Sequence, residues 1–510
     1  PLTGGTVSGN VTLNGALNGV TSVDATTAAS ITAAGVGGSG TVDLTADGSI
    51  SSGNVVGISG NGTVSATAPF FGPISAFSSA DRAYVSGYWD QAANKVVAAS
   101  CDAAATSMKI RVGTIASNGA ISWGTEQSYS GYTSLNNICV AMHDNVGLVS
   151  FTASNWGSYR MMRSFGVSGT TVNSTSGDAY LDGNNQYSAY GNARVQTLMA
   201  DPNNSGKFVQ VYQGTNVARP RAAIITATGN SASSTHYEIG SSVNQNCIKM
   251  AIAYNPTSGK FMGTWTGNIL GTNTVTAASL TVSGSALSIG TVITSLLTQS
   301  SDQVSMAYSS TNGNFLYFVR DSGGLYGWVL NTNSSGNATS FGNANYVVDA
   351  PGTDWYARNT YNSSGVTTVG AWQVAGGNSK LYLISDTAGG VVSVSGDPID
   401  ISTTASVSGT WGGPWGLQDK GTFIAFDGGA SPYNSSELNT ASTYFTALGV
   451  SEGNYTNGQT ATVTITGGIT NAISSLSAGL NYQPSNSSTG GLVKGGSFAI
   501  ALDTNKLLIK

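Results

Sequence analysis

The sequence predicts an all-β protein: a seven-bladed β-propeller, with six blades as the alternative, preceded by an N-terminal β stalk segment and followed by a small C-terminal β domain. Three observations predict this. Only 8% of the 510 residues are charged, too few to give helices their polar faces. β-branched and aromatic residues alternate with Gly (68 in all), Ser, Thr and Asn, the mixture of strands and tight turns. A unit of about 54 residues recurs through the middle of the chain, the mark of a repeat architecture.

The same composition excludes several classes. Aromatics at 9% and hydrophobics at 40% supply a core, which rules out charge-driven disorder. With 19 basic residues and a net charge of −5, no nucleic-acid partner is expected. No apolar run approaches the roughly 18 residues of a membrane-spanning helix, so no membrane insertion is expected. Cys101, Cys139 and Cys247 lie in apolar, strand-like runs at spacings foreign to metal motifs, and read as small buried hydrophobes. The chain opens on Pro1 with no signal-peptide pattern, so further sequence upstream is expected.

Residues 1–64 form a small-residue tract (GGTVSGNVTLNGALNGV, SITAAGVGGSGTVDLTADGSI) with little core of its own. Its Val and Leu need partners, which suggests a stalk shared between copies. Residues 65–440 carry the repeat. Asp81, Asn137, Asn192, Asn246, Asp302 and Asp354 each precede an apolar strand. A turn follows at Gly147, Gly206, Gly259, Gly313, Gly365 and Gly421, then two more strands, then a second turn at Gly119, Gly169, Gly229, Gly284, Gly336 and Gly390. A weaker fourth strand closes each unit. Four short strands with two glycine turns match a propeller blade, whose faces must be covered by its neighbours. Six units are complete over 81–401. The seventh, with Trp415-GLQDK and Thr422-FIAF, lacks an outer strand, which segment 65–75 can supply and so remove an open sheet edge. Residues 441–510 (TYFTALGV, ATVTITGGI, LNYQ, FAIALD, LLIK) read as a separate small β domain.

The repeats and the C-terminal tract carry a family resemblance. Ser258-Gly259-Lys260-Phe261, Thr281-Val282-Ser283-Gly284 and Ser340-Phe341-Gly342 resemble the repeat unit of bacteriophage tail-fibre proteins from marine and environmental phages. Leu476 to Tyr482, with Leu492-Val-Lys494-Gly495 and the strand to Leu508, is similar to the ending of such fibres, although Gln483 stands where the pattern has a second Tyr. Over 81–510 the resemblance implies a virion location in the phage tail, host attachment through a surface glycan or protein receptor, contacts with other tail or baseplate proteins, and a homotrimer whose chains each fold their own propeller.

Catalytic chemistry finds no foothold. No pair of acids sits in a recognisable glycosidase motif, the Ser79-Ala-Asp81-Arg82-Ala83 stretch lacks the Gly of sialidase boxes, and His143 and His236 fall in different units. Asp81, Asp302 and Asp354 alternate with Asn in equivalent places, which favours backbone capping over a metal. No cofactor and no metal are expected, and the protein reads as a binding protein rather than an enzyme. A polysaccharide depolymerase and a non-binding decoration protein are the alternatives. The loops joining second and third strands (153–159, 212–221, 265–272, 320–326, 372–380, 427–434) are long and rich in aromatics. Functional residues concentrate on such loops, and aromatic faces beside polar groups suit carbohydrate rings. The expected receptor-binding residues are Trp156, Tyr159, Arg219, Trp265, Asp321, Tyr326 and Trp372.

Overall fold

A computed structural model describes residues 40–510 except 61, 68–70, 77, 79–81, 91–92, 94, 103, 116–120, 157–159, 182–196, 214–219, 240–245, 270–271, 297–302, 310–311, 322–323, 344, 350–358, 362–366, 372–379, 387–391, 395–398, 401–414, 418–421, 429–434, 443–446, 485–489 and 495–497. The chain divides into two compact units. One combines both ends, up to Thr67 and from Thr446 onward, and the other is Ala68–Phe445.

The larger unit is built from antiparallel sheets with a path of four strands each, in chain order; in five of them a short fifth strand also pairs with the third. The first contains Arg82–Asp90, Lys95–Asp102, Ser107–Ile115 and Ile121–Trp123, and the second Asn136–His143, Val146–Thr152, Arg160–Ser168 and Thr171–Thr175. The third contains Leu198–Ala200, Lys207–Gln213, Pro220–Ala227 and Ala232–Glu238. The fourth contains Asn246–Asn255, Lys260–Ile269, Thr272–Ser283 and Ala286–Ile289, and the fifth Gln303–Ser309, Asn314–Asp321, Gly324–Thr332 and Ala338–Phe341. Asn359–Tyr361, Thr367–Ala371, Lys380–Asp386 and Val392–Val394 follow. The last sheet joins Trp415–Leu417, Thr422–Gly428 and Ser435–Ser442 to Phe71–Ala76, a strand from before the first sheet. The first strand of each sheet lies beside the first strand of the next, and Trp415–Leu417 lies beside Arg82–Asp90.

The core lies in the seams between sheets. Alternation sends successive side chains to opposite faces, and both faces are covered, so inner strands are apolar throughout. In the second sheet, Val140 and Met142 join Val97, Ile110 and Phe151 in the seam with the first. Cys139 and Ala141 join Leu198, Phe208 and Ile225 in the seam with the third. Cys101 and Cys139 are buried thiols, as expected of small hydrophobes.

Turn chemistry fixes the ends of the strands. Gly169, Gly206, Gly229, Gly259, Gly284, Gly313 and Gly336 all take positive φ, as their turns require. Gly147 does not. The turn before it is made by Asp144 (φ 49) and Asn145 (φ 65), and Gly147 lies within a strand because a Cβ there would sit 2.0 Å from Cζ of Phe165, its cross-strand partner. Gly119, Gly365, Gly390 and Gly421 lie outside the described residues.

A recurring Asp or Asn sits at the end of the first strand, where it organises the hairpin. Asp90 Oδ1 accepts the Ala93 N–H, Asp201 Oδ1 the Asn203 N–H, and Asn255 Oδ1 the N–H groups of Thr257 and Ser258. The lysine opening the second strand then reaches the next sheet: Lys95 to Asn145, Lys207 to Ser285 and Lys260 to Asn337. Of the Asp/Asn positions expected to cap the start of the first strand, Asn137 is left-handed (φ 53) within a β-bulge and Asn246 opens its strand. Asp81, Asn192, Asp302 and Asp354 lie outside the described residues.

The smaller unit corrects the expected division into an N-terminal stalk and a separate C-terminal domain. Thr41–Ala46, Val55–Gly60 and Thr63–Ala66 close a five-stranded barrel with Ala447–Ser451 and Thr460–Ile465. For the described part of the small-residue tract, the partners are therefore strands of the same chain, some 400 positions away. Val56, Val64, Ala461 and Val463 fill the barrel. A second sheet, in the order Ile469–Thr470, Lys506–Ile509, Ala499–Asp503, Asn481–Pro484 and Leu492–Lys494, packs one face on Val55, Val450 and Leu476.

Candidate functional site

The seam between the first and second sheets carries the most developed polar site among the described residues. Tyr129 lies on Gln127–Ser130, which pairs with the third strand of the first sheet. Tyr132 follows in the connector to the second sheet. Arg163 sits on the third strand of the second sheet, between Met161 and Phe165, so alternation turns it toward the first sheet. Asp178 precedes the short strand Ala179–Tyr180.

Arg163 Nε donates to Asp178 Oδ1 at 2.7 Å, and the Tyr132 hydroxyl donates to Asp178 Oδ2 at 2.8 Å. The guanidinium carbon lies 4.3 Å from the centre of the Tyr129 ring, a cation–π stack. Tyr132 is braced edge-on against Phe151 at 5.3 Å. Burial, then the Asp178 charge, raises the Tyr132 pKa well above its ordinary value. Burial opposes the Arg163 charge, but the bond to Asp178 and the charges of Asp178 and Tyr132 together outweigh it and raise that pKa.

The loop above is docked on the same connector. Asn155, in the 3-10 turn Ser154–Trp156, donates Nδ2 to Gly131 O at 2.8 Å and accepts the Thr133 N–H at 3.1 Å. Ser154 N–H donates to Thr133 O at 2.7 Å. Thr133, Ser134, Ser154 and Asn155 are exposed. Tyr132 is buried and the Arg163 and Asp178 side chains are only 14% and 12% exposed, so little of the cluster reaches solvent, whereas Thr133, Ser134, Ser154 and Asn155 present exposed hydroxyls and an amide on the adjoining connector and turn.

Two other polar clusters serve the fold. Arg160, 5% exposed, spans the seam between the second and third sheets. Nη1 donates to Asn137 O at 2.8 Å and Nη2 to Thr197 Oγ1 at 3.2 Å. With its amide oxygen turned toward the guanidinium, Gln210 accepts from Nε and Nη2 at 3.1 Å. Burial lowers the Arg160 pKa. His236 meets the Tyr212 hydroxyl at 2.5 Å and lies 3.1 Å from Ser234 Oγ. Ser234 donates its proton to Leu181 O, so this Ser–His pair is not poised for nucleophilic attack. Among the described residues no three His, Cys, Asp or Glu side chains gather as a metal site.

The expected site residues scatter. Trp156 ends the docked turn Ser154–Trp156. Trp265 is a correction: it is fully buried in the seam between the third and fourth sheets, its ring over Gly263 and against Val211. The stretch 265–272 is not a loop, because the ladder continues to Ile269 opposite Thr272. Asp321 pairs with Gly324 across an equally short connection. Tyr326 is half-buried beside Trp328 in the next seam, a packing position. Tyr159, Arg219 and Trp372 lie outside the described residues. The sequence reading missed Tyr132 and Asp178 because it searched the loops between second and third strands, whereas Tyr132 lies on the connector entering the second sheet and Asp178 between its last two strands.

No family model matches the chain, and no curated protein matches it. Among solved structures, "Structure of Dos1 propeller" is similar at 10% identity and TM-score 0.39, over 73% of this chain and 96% of that one. AztD from Citrobacter koseri is similar at 12% identity and TM-score 0.38, over 73% and 93%. A quinonprotein alcohol dehydrogenase-like protein from Bacteroides thetaiotaomicron is similar at 10% identity and TM-score 0.35, over 62% and 66%. Likeness at this level carries no argument about function.

Proposed function

We propose that the protein is a non-enzymatic attachment protein, a tail-fibre subunit of a phage virion, which binds a host-surface glycan at the seam between its first two sheets. The observation that carries this reading is the Tyr129–Arg163–Asp178–Tyr132 cluster, whose connector around Tyr132 also holds the docked turn Ser154–Trp156. A preformed constellation of aromatic faces, one carboxylate and one guanidinium can grip sugar hydroxyls without further ordering. We also read the larger unit as a seven-bladed ring, closed where Phe71–Ala76 pairs with Ser435–Ser442 and supplies the last sheet with its outer strand. Images of the isolated protein should show seven spokes.

Binding of the full chain to a glycan array and to whole host cells tests the function. Asp178→Ala should lower retention about tenfold or more, the loss of a hydrogen-bonded charge, while leaving the circular dichroism spectrum unchanged. Wild-type protein that binds neither array nor cells, or an Asp178→Ala variant that binds equally well, would refute the assignment. Labelled antibody on intact particles should mark the tail.

A further inference from the structure

The lysines that open the second strands of the first, third and fourth sheets each reach the next sheet, and the three contacts differ in chemistry. In every case the lysine lies across the hairpin from the Asp or Asn that ends the first strand. Asp90 pairs with Lys95, and Asn255 with Lys260. Asp201 stands opposite Lys207, whose carbonyl accepts the Asp201 N–H at 2.8 Å. Side chains of such partners leave the sheet on the same face. Lys207 Nζ donates to a hydroxyl, Ser285 Oγ, at 3.0 Å, so that site has a carboxylate but no carboxamide. Lys260 Nζ donates to the Asn337 carboxamide at 2.7 Å, but Asn255 stands in the place of the acid. Lys95 alone of the three has both: it donates to Asn145 Oδ1, and its cross-strand partner is Asp90.

Asn145 is fixed on every side. Its backbone is left-handed (φ 65), its N–H donates to Asp90 Oδ2 at 3.2 Å, and its carbonyl accepts the Val167 N–H at 2.9 Å. Asp90 is buried and is itself held by the Ala93 N–H at 3.2 Å, with His143 Nδ1 at 3.6 Å. Lys95 and Asn145 are half-buried. Because Oδ1 and Cγ are bonded, the contact keeps the lysine nitrogen beside a carbonyl carbon, with a carboxylate on the same face of the hairpin. An amine held against an acyl group in this way is close to an attack geometry.

We propose that Lys95 and Asn145 join in an intramolecular isopeptide bond between the first and second sheets, with Asp90 carrying the proton. The Asp90 carboxylate takes one proton from the Lys95 ammonium, and the freed Nζ lone pair attacks Asn145 Cγ. Asp90 then gives its proton to Nδ2, the Cγ–Nδ2 bond breaks, and the departing ammonia takes the proton that Nζ still has to lose. The products are a secondary amide and one ammonium ion, and no oxidant or reductant is needed. The bond ties together positions 50 apart in the chain and so restricts the unfolded state.

Intact-mass spectrometry of the full chain, folded and then denatured in reductant, tests this. Wild type should be lighter than its sequence by one ammonia. Its tryptic digest should contain a branched peptide joining 83–109 to 112–160, which survives reduction although each arm carries a cysteine. Lys95→Arg, Asn145→Gly and Asp90→Asn should each show their full sequence mass, with circular dichroism like that of wild type. Lys95→Arg keeps the charge and the hairpin, so it remains informative if Asp90→Asn fails to fold. A wild type at full sequence mass would overturn the proposal. So would an ammonia loss that persists in Lys95→Arg, because that marks a succinimide formed at an asparagine without the lysine. A branched peptide that still forms in folded Asp90→Asn, or a second branch joining Lys260 to Asn337, would overturn the role of the carboxylate.

Discussion

Asp90 is wholly buried and meets three groups at once. Its carboxylate accepts the N–H of Ala93 in its own hairpin and of Asn145 in the next, and faces His143 Nδ1 at 3.6 Å. Burial opposes its charge, but His143 and the two N–H groups outweigh it and lower its pKa below the usual 3.8. The Asp90 bond raises the His143 pKa above 6.5, against burial and with help from Asp144 and Asp201. The linkage signs follow. The histidine's contribution is complete below pH 6.5 and fades as pH rises through its raised value. The aspartate's contribution is complete above pH 3.8 and fades as pH falls through its lowered value. Thermal unfolding midpoints should therefore peak in mildly acid buffer and decline toward pH 9, by roughly 1 kcal/mol for a partly screened charged hydrogen bond. His143→Gln should flatten the alkaline arm, and an unchanged profile would show that the pair does not contribute. At the same seam, Tyr132→Phe keeps the contact with Phe151 but removes the donor to Asp178. Calorimetry should register a loss of about 1 kcal/mol, and glycan retention should fall with it.

Strand and turn identities were largely legible because they are local. Glycine at positions that need positive φ, and apolar runs covered on both faces, announced hairpins and sheets before any contact was known. Gly147 shows where local reading fails. It looked like a turn glycine because it stands two residues past a turn, but its cause is the Phe165 ring on the adjacent strand, a pairing that spacing does not reveal. Gly147→Ala should force that ring out of the seam it shares with Tyr132 and Phe151, and cost about 1–3 kcal/mol through overpacking. Adding Phe165→Leu should recover part of the loss in chemical denaturation, and no recovery would place the strain elsewhere. Trp265 failed for a related reason. An aromatic next to Gly and Asn reads as a loop tip, yet the ladder runs four residues further, to Ile269, and the indole ends between sheets. The polar cluster was not visible, since Arg163 and Asp178 come from separate segments of the second sheet with no spacing signature.

At the scale of the molecule, the chain ends are the part that sequence could not join. Thr462 bonds Asp43 across 419 positions, and no periodic pattern links two short threonine-rich strands at opposite ends of a chain. This pairing makes the larger unit an insertion between Thr63–Ala66 and Ala447–Ser451, and it separates the stabilities of the two units. The larger unit closes with its own strand, Phe71–Ala76, and draws no strand from the barrel. The barrel, in contrast, buries Val55, Val56 and Val64 only with the help of Val450, Ala461 and Val463. Truncation after Ser442 removes those partners, and each uncovered valine forfeits roughly 1.5 kcal/mol or more of burial. Three remaining strands with one bare face cannot stand alone, so residues 40–67 should become the first site of proteolysis and lose amide protection. The larger unit should keep its protection and its own unfolding transition, because its closing strand is still present. If the truncated chain instead unfolds as a whole, the ring depends on the barrel for closure, and the pairing of Phe71–Ala76 with Ser435–Ser442 is too weak to hold it shut.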